Sequence, residues 1–232
     1  MFFWDPTYIL LVMLPTLVIT GLAQAWVRNA YNKWGNIANG SRINGQQTAQ
    51  ILMRSGAIQP VGLEVTRGQL TDHYDPTSGI VRLSQGVALQ PSVAAMAVTA
   101  HELGHVQQHQ QNSPLIGLRQ MLIPSARFGP SIGIMLILAG LFLNATGLAT
   151  IGLILFAGAT VFTLVTLPVE LDASRRAMKL LEGAGLLTTE EDRDGANAVL
   201  RAAAFTYVAA VASSLLTLLY YAMLVFGGSR RD

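Results

Sequence analysis

Apolar and polar positions along this chain separate into long blocks rather than alternating residue by residue. Residues 8–27, YILLVMLPTLVITGLAQAWV, carry no charged side chain, over about the 20 residues that a hydrocarbon core of roughly 30 Å demands of a helix. From Phe128 to Val169 a further 42 residues are uncharged, too many for one crossing and right for two joined by a tight turn, for which Asn144 to Gly147 is the natural place. A last uncharged run, Ala202 to Phe226, makes a fourth span with Tyr220 and Tyr221 toward one end. The pattern predicts a mainly α membrane protein with about four transmembrane helices.

The first run has a rival reading as a cleaved signal peptide, because Ala23-Gln24-Ala25 imitates an A-x-A cleavage site. The segment before it, MFFWDPT, has an acid and no Lys or Arg where a signal peptide needs a positive region. A membrane span is the better reading.

Between the spans the periodicity shortens. GQQTAQILMRSGA reads as a helix ended by Gly56, with Ala49, Leu52 and Met53 at helical spacing. GLEVTRGQL and GIVRLSQ read as two short strands, with Asp75, Pro76, Ser78 and Gly79 supplying turn chemistry. PSVAAMAVTAHELGHVQQHQQ then opens with Pro91 and Ser92 and runs as a helix of about six turns. The expected organisation is an N-terminal span at 1–27, a small α+β domain at 28–127, a helical hairpin at 128–169, a helical segment at 170–201, and a C-terminal span with its tail at 202–232. Two crossings separate 28–127 from 170–201, so both belong on one side of the membrane.

Composition agrees with a membrane chain: 51% hydrophobic, 12% charged and a mean hydropathy of +0.43, where a soluble domain carries about 25% charged residues. The two polar segments hold 13 of the 15 Lys and Arg, which by the positive-inside rule makes their side cytoplasmic. Arg230 and Arg231 are the exception and belong outside. The basic residues are scattered among apolar spans, so no nucleic acid is expected as a partner. With no cysteine, any metal must be bound by His and carboxylate.

His101-Glu102-Leu103-Gly104-His105 places an H-E-x-x-H pattern inside the predicted helix. Positions i and i+4 lie about 40° apart on a helix, so both imidazoles can reach one ion, and Glu102 lies one step round, where its carboxylate can touch an attacking water. Two solvated histidines beside an incidental glutamate is the plain alternative. Against it, three of the four histidines in the chain fall at i, i+4 and i+8.

A catalytic zinc site takes three protein ligands and an open position. His109 lies some 12 Å along the axis from His101, too far for one ion to serve both comfortably, and is expected as a neighbour or rim residue. Glu170, in PVELDASRRAMKLLEGAGLL, is the better third ligand. Pro168 should mark the change of segment and Glu170 should begin an amphipathic helix to about Leu181, with Ser174 on the same face as a hydrogen-bonding partner for a ligand. Glu170 reads equally as a first-turn carboxylate favouring the helix dipole, and Asp172 is the runner-up ligand. Asp72 and Asp75 read as turn formers, while His73 or Tyr74 could reach the cleft as an oxyanion donor. The strand Ile80 to Ser84 is the expected edge for holding an extended peptide.

The segments LTDHYDP (70–76), VRLS (81–84), AHELGHVQQH (100–109), TLPVELDASRRA (166–177) and AAAFTYVAA (202–210) together resemble the YugP-like family of neutral zinc metallopeptidases of bacterial membranes. The resemblance covers essentially the whole chain in order. It implies a zincin-like catalytic domain in 28–127, Zn2+ as cofactor, His101 and His105 as ligands, and Glu102 as the base. ELDAS is similar to the ExxxD segment of gluzincins, which implies Glu170 as third ligand; Ser174 stands where that pattern has Asp. The expected partners are a protein or peptide substrate and the lipid bilayer, with a homo-oligomer or a membrane regulatory partner left open, and the expected place is the bacterial inner membrane. Two functions of other classes compete. A transporter usually carries ionisable or broken segments at mid-bilayer, and these spans contain no Asp, Glu, Lys or Arg. A zinc-binding membrane adaptor without proteolytic activity would keep the three ligands and have no need of Glu102.

Overall fold

The computed structural model describes residues 5–227; Arg230 and Arg231, expected on the far side of the membrane, lie outside them. The elements are α1 (Pro6–Gly35), α2 (Gly45–Arg54), β1 (Gly62–Thr66), β2 (His73–Asp75), β3 (Ile80–Ser84), α3 (Gln85–Leu89), α4 (Val93–Gln110), α5 (Pro114–Phe142), α6 (Thr146–Gly183) and α7 (Glu190–Gly227). Four of these helices, α1, α5, α6 and α7, are long and apolar enough to cross a membrane. The chain divides into two compact units: residues 1–23, 117–168 and 206–232 form one, and 24–116 with 169–205 form the other.

The first unit wears its hydrophobic side chains outward. Leu10, Leu22, Phe142, Ile154 and Leu219 are each more than half exposed, which is costly in water and natural against lipid tails. Inside, helices in lipid gain little from burying more apolar surface and rely on close approach. A Cβ on Gly133 would lie 2.9 Å from the carbonyl oxygen of Gly152, and one on Gly129 2.6 Å from that of Leu155. The bare faces of α5 and α6 therefore let the hairpin close backbone to backbone. Asn144 takes the left-handed conformation (φ 52°) at the turn between them, where the long uncharged run is expected to reverse. Ser214 on α7 donates to Thr160 on α6 at 2.8 Å, and Tyr220 donates to Asp5 at 2.7 Å.

The second unit has a conventional core around α4, which is apolar on most sides because Val93, Ala94, Ala95, Met96, Ala97, Ala100, Leu103 and Val106 are all buried. Its start is set as the Pro-Ser pair suggests, with Ser92 Oγ accepting from the Ala95 N–H. Asn44 and Gln47 form a reciprocal capping box on α2. Asp192 on α7 accepts from the backbone N–H groups of Gly40, Thr188 and Thr189, which ties a loop to the helix start.

The three-stranded sheet corrects two expectations. Its order is β1-β3-β2, so Ile80–Ser84 is the central strand, paired parallel to β1 and antiparallel to β2, and is no edge for a peptide. His73–Asp75, expected as part of a turn, is itself a strand. Cross-strand chemistry outweighs local turn preference there: Arg82 on β3 reaches Glu64 on β1 at 2.9 Å and Asp75 on β2 at 3.3 Å. Asp75 still closes the turn by accepting from the N–H of Thr77, and Asp72 accepts from the Ser84 N–H and hydroxyl.

The helix boundaries differ as well. α6 runs without interruption through Pro168, so Glu170 sits deep inside a 38-residue helix rather than at the start of a new one. The dipole reading of Glu170 falls with that boundary, since dipole effects fade within the first turn.

Candidate metal centre

His101 and His105 occupy successive turns of one face of α4, their rings nearly perpendicular (86°) with centroids 4.8 Å apart. Glu170 comes from α6, 2% exposed. What lets α6 come this close is Gly104, the fourth residue of the HELGH run. A Cβ there would lie 2.5 Å from the carbonyl oxygen of Ala173 and 3.2 Å from its carbon, contacts that no larger residue can make without moving backbone. The glycine thus decides how near the carboxylate of one helix stands to the imidazoles of the other.

The resulting geometry is narrow. Glu170 Oε2 lies 3.3 Å from His101 Nε2 and 3.4 Å from His105 Nε2, and one ligand atom from each residue falls within 4.8 Å of the other two. Charge-assisted hydrogen bonds between imidazole and carboxylate close to about 2.7–2.9 Å. A tetrahedral zinc ion with bonds of about 2.0–2.1 Å holds neighbouring ligand atoms about 3.3–3.4 Å apart. The spacing matches the edge of that tetrahedron, and the donor set of two imidazoles and one carboxylate is one that zinc accepts. His101, His105 and Glu170 could therefore hold a metal ion.

Both rings turn Nε2 toward Glu170 because Nδ1 is engaged elsewhere. His101 Nδ1 lies 3.3 Å from Ser174 Oγ, one turn along α6 from Glu170, as its i+4 spacing suggests. His105 Nδ1 lies 3.0 Å from Gln108 Oε1. Gln108 is buried and is not among the residues the sequence pattern singles out; its side-chain amide donates to the Val169 carbonyl at 2.9 Å and to Asp172 Oδ2 at 2.8 Å. Asp172, the runner-up ligand, stays outside the cluster and instead accepts from Arg176 Nε at 2.6 Å.

Glu102 is 7% exposed and makes no hydrogen bond among the described residues. Burial pushes its carboxyl up from the usual range, against the pull of His101 and His105. A carboxylate that is desolvated and lacks a fixed partner is suited to accept a proton.

The remaining candidates go elsewhere. Tyr74 pairs with His109, hydroxyl to Nδ1 at 2.9 Å, tying β2 to the last turn of α4; neither joins the three-residue cluster. His73 is exposed and donates from Nδ1 to the Thr71 carbonyl at 2.9 Å.

A helical membrane chain that gathers two histidines of an HExxH run and a distant glutamate falls in a known class. The family described as "Putative neutral zinc metallopeptidase" matches residues 8–226, and the chain belongs to it. Among curated proteins it is similar to the "Putative membrane protease YugP" of Bacillus subtilis (strain 168), with 38% identity over 216 residues that cover 92% of this chain and 96% of that one. No solved structure matches.

Proposed function

We propose that the protein is a zinc-dependent metalloendopeptidase of gluzincin type, with His101, His105 and Glu170 as ligands and Glu102 as general base. The observation that carries this reading is the pair of 3.3 and 3.4 Å separations between Glu170 and the two imidazoles, too long for strong ion pairs and right for ligands sharing a tetrahedral ion.

Zinc bound there would polarise the scissile carbonyl and lower the pKa of a water toward about 7. Glu102, held one step round the helix from both imidazoles, takes the proton from the attacking water and carries it to the leaving amine. Its burial keeps it a better base than an exposed carboxylate and keeps bulk water from competing for that proton. Ser174 and Gln108 orient the two imidazoles from behind. The substrates are membrane-associated proteins or unfolded segments that approach the bilayer. Thirteen of the 15 Lys and Arg lie in the segments that carry the site, which argues for a catalytic side in the cytoplasm and a home in the bacterial inner membrane.

The test is metal content and cleavage of a denatured protein, measured side by side for wild type and Glu102→Gln. Both should hold about one zinc and only wild type should cleave, with turnover in the variant reduced by about 10²–10⁴-fold or more. Zinc in both with cleavage by neither favours a zinc-binding adaptor. Zinc in neither removes the metal centre.

A further inference from the structure

We infer that Gln108 is a positioning residue that fixes the tautomer of His105, with Asp172 and Arg176 as its anchor. The inference rests on the metal reading above and assigns a role to a residue outside the HExxH run.

Arg176 can only donate, and it donates to Asp172 Oδ2 at 2.6 Å and to the side-chain oxygens of Gln107 and Gln111 at 3.0 and 2.6 Å. Asp172, so held as a carboxylate, can only accept. The Val169 carbonyl can only accept as well. Both face the same nitrogen of Gln108, at 2.8 and 2.9 Å, so that atom must be the NH2 group, and both of its hydrogens are used. Gln108 Oε1 is then the atom that points at His105 Nδ1, 3.0 Å away. An amide oxygen cannot donate, so Nδ1 carries the hydrogen, and in the neutral ring Nε2 keeps its lone pair facing Glu170. Donor and acceptor identity forces each assignment in turn.

His101 has no such constraint. The Ser174 hydroxyl at its Nδ1 can donate or accept, so it supports either tautomer. Of the two imidazoles, His105 is therefore the one presented ready to bind a cation, and Gln108 does this while pinning α4 to α6 through Val169. Groups that hold ligating histidines from behind typically change metal affinity by about 10–100-fold when removed.

The experiment uses the full-length protein in detergent. Zinc affinity is measured by chelator competition for wild type and Gln108→Met, whose side chain has similar length and no amide to hold His105 Nδ1. The cobalt-substituted absorption spectrum of each reports ligand geometry independently of activity. Gln108→Met should bind zinc about 10–100-fold more weakly with an altered cobalt spectrum. Wild-type affinity and an unchanged spectrum in Gln108→Met overturn the role of Gln108 alone; a wild type that binds no zinc overturns the metal centre with it. Should Gln108→Met not fold, the 15N-histidine spectrum of zinc-free wild type decides: His105 must show a protonated Nδ1, and a bare Nδ1 sinks the proposal.

Discussion

Replacing Gly104 with alanine tests whether the approach of α4 and α6 sets the metal centre. The new methyl would start 2.5 Å from the Ala173 carbonyl oxygen, where ordinary contact begins near 3.4 Å. Backbone occupies both sides of that contact, so no side chain can swing away, and the helices must part by about 0.9 Å locally. Ala173 is three residues from Glu170 on the same helix, so the carboxylate moves with it. Zinc sites tolerate distance errors of about 0.2 Å, several-fold less than this displacement. Gly104→Ala should therefore weaken zinc binding by at least about 10–100-fold, and overpacking should cost about 1–3 kcal/mol in the metal-free protein. Chelator competition reads the first, and thermal denaturation without metal reads the second. Gly117→Ala is the control, since a Cβ there meets nothing within 4 Å and alanine is the better helix former. Wild-type zinc affinity in Gly104→Ala, with undiminished stability, would refute the argument.

Further outcomes follow from neighbouring contacts. Ser174→Asp puts a carboxylate where a hydroxyl now faces His101 Nδ1; it should tighten zinc binding, by up to about tenfold, and weaker binding by chelator competition would count against Ser174 as the partner of His101. Hydrogen bonds from Ser78 and Thr77, with Arg82 beside it, hold the Asp75 carboxyl down at about 2. Because that pKa is lowered on folding, the contribution of Asp75 to the β2–β3 hairpin is present above the unfolded carboxylate range near about 4 and is lost as pH falls through about 2. NMR titration of the carboxyl should show this, and Asp75→Asn should remove the acid-dependent change in hairpin protection while leaving the zinc affinity at neutral pH unaltered.

The spans and the HExxH helix are legible in the sequence because each is a contiguous signal: a charge-free run, or two histidines one turn apart. What the sequence hides depends on partners far away along the chain. Gln108 sits in the polar stretch QQHQQ and reads as solvated, although its place three residues after His105, on the same helical face, is a signal that points to it. Pro168 looks like a helix boundary; membrane helices tolerate proline because neighbouring groups re-satisfy the freed carbonyl, and α6 passes straight through it. β2 is three residues long and begins just after an aspartate, so only its pairing with β3 makes it a strand. The same pairing turns the supposed peptide edge at Ile80–Ser84 into the middle of the sheet.

The distance along the chain between His105 and Glu170 has a consequence for biosynthesis. They are 65 residues apart, and α5 and more than half of α6 lie between them. At about 5–20 residues per second a ribosome exposes the two histidines several seconds before it makes the carboxylate that completes the set. On the proposed metal reading, the nascent chain in that interval offers only a weak two-donor site, and full metal loading waits until both arms of the hairpin have been synthesised. On the proposed reading, the site therefore has no activity until the hairpin between its two halves is complete.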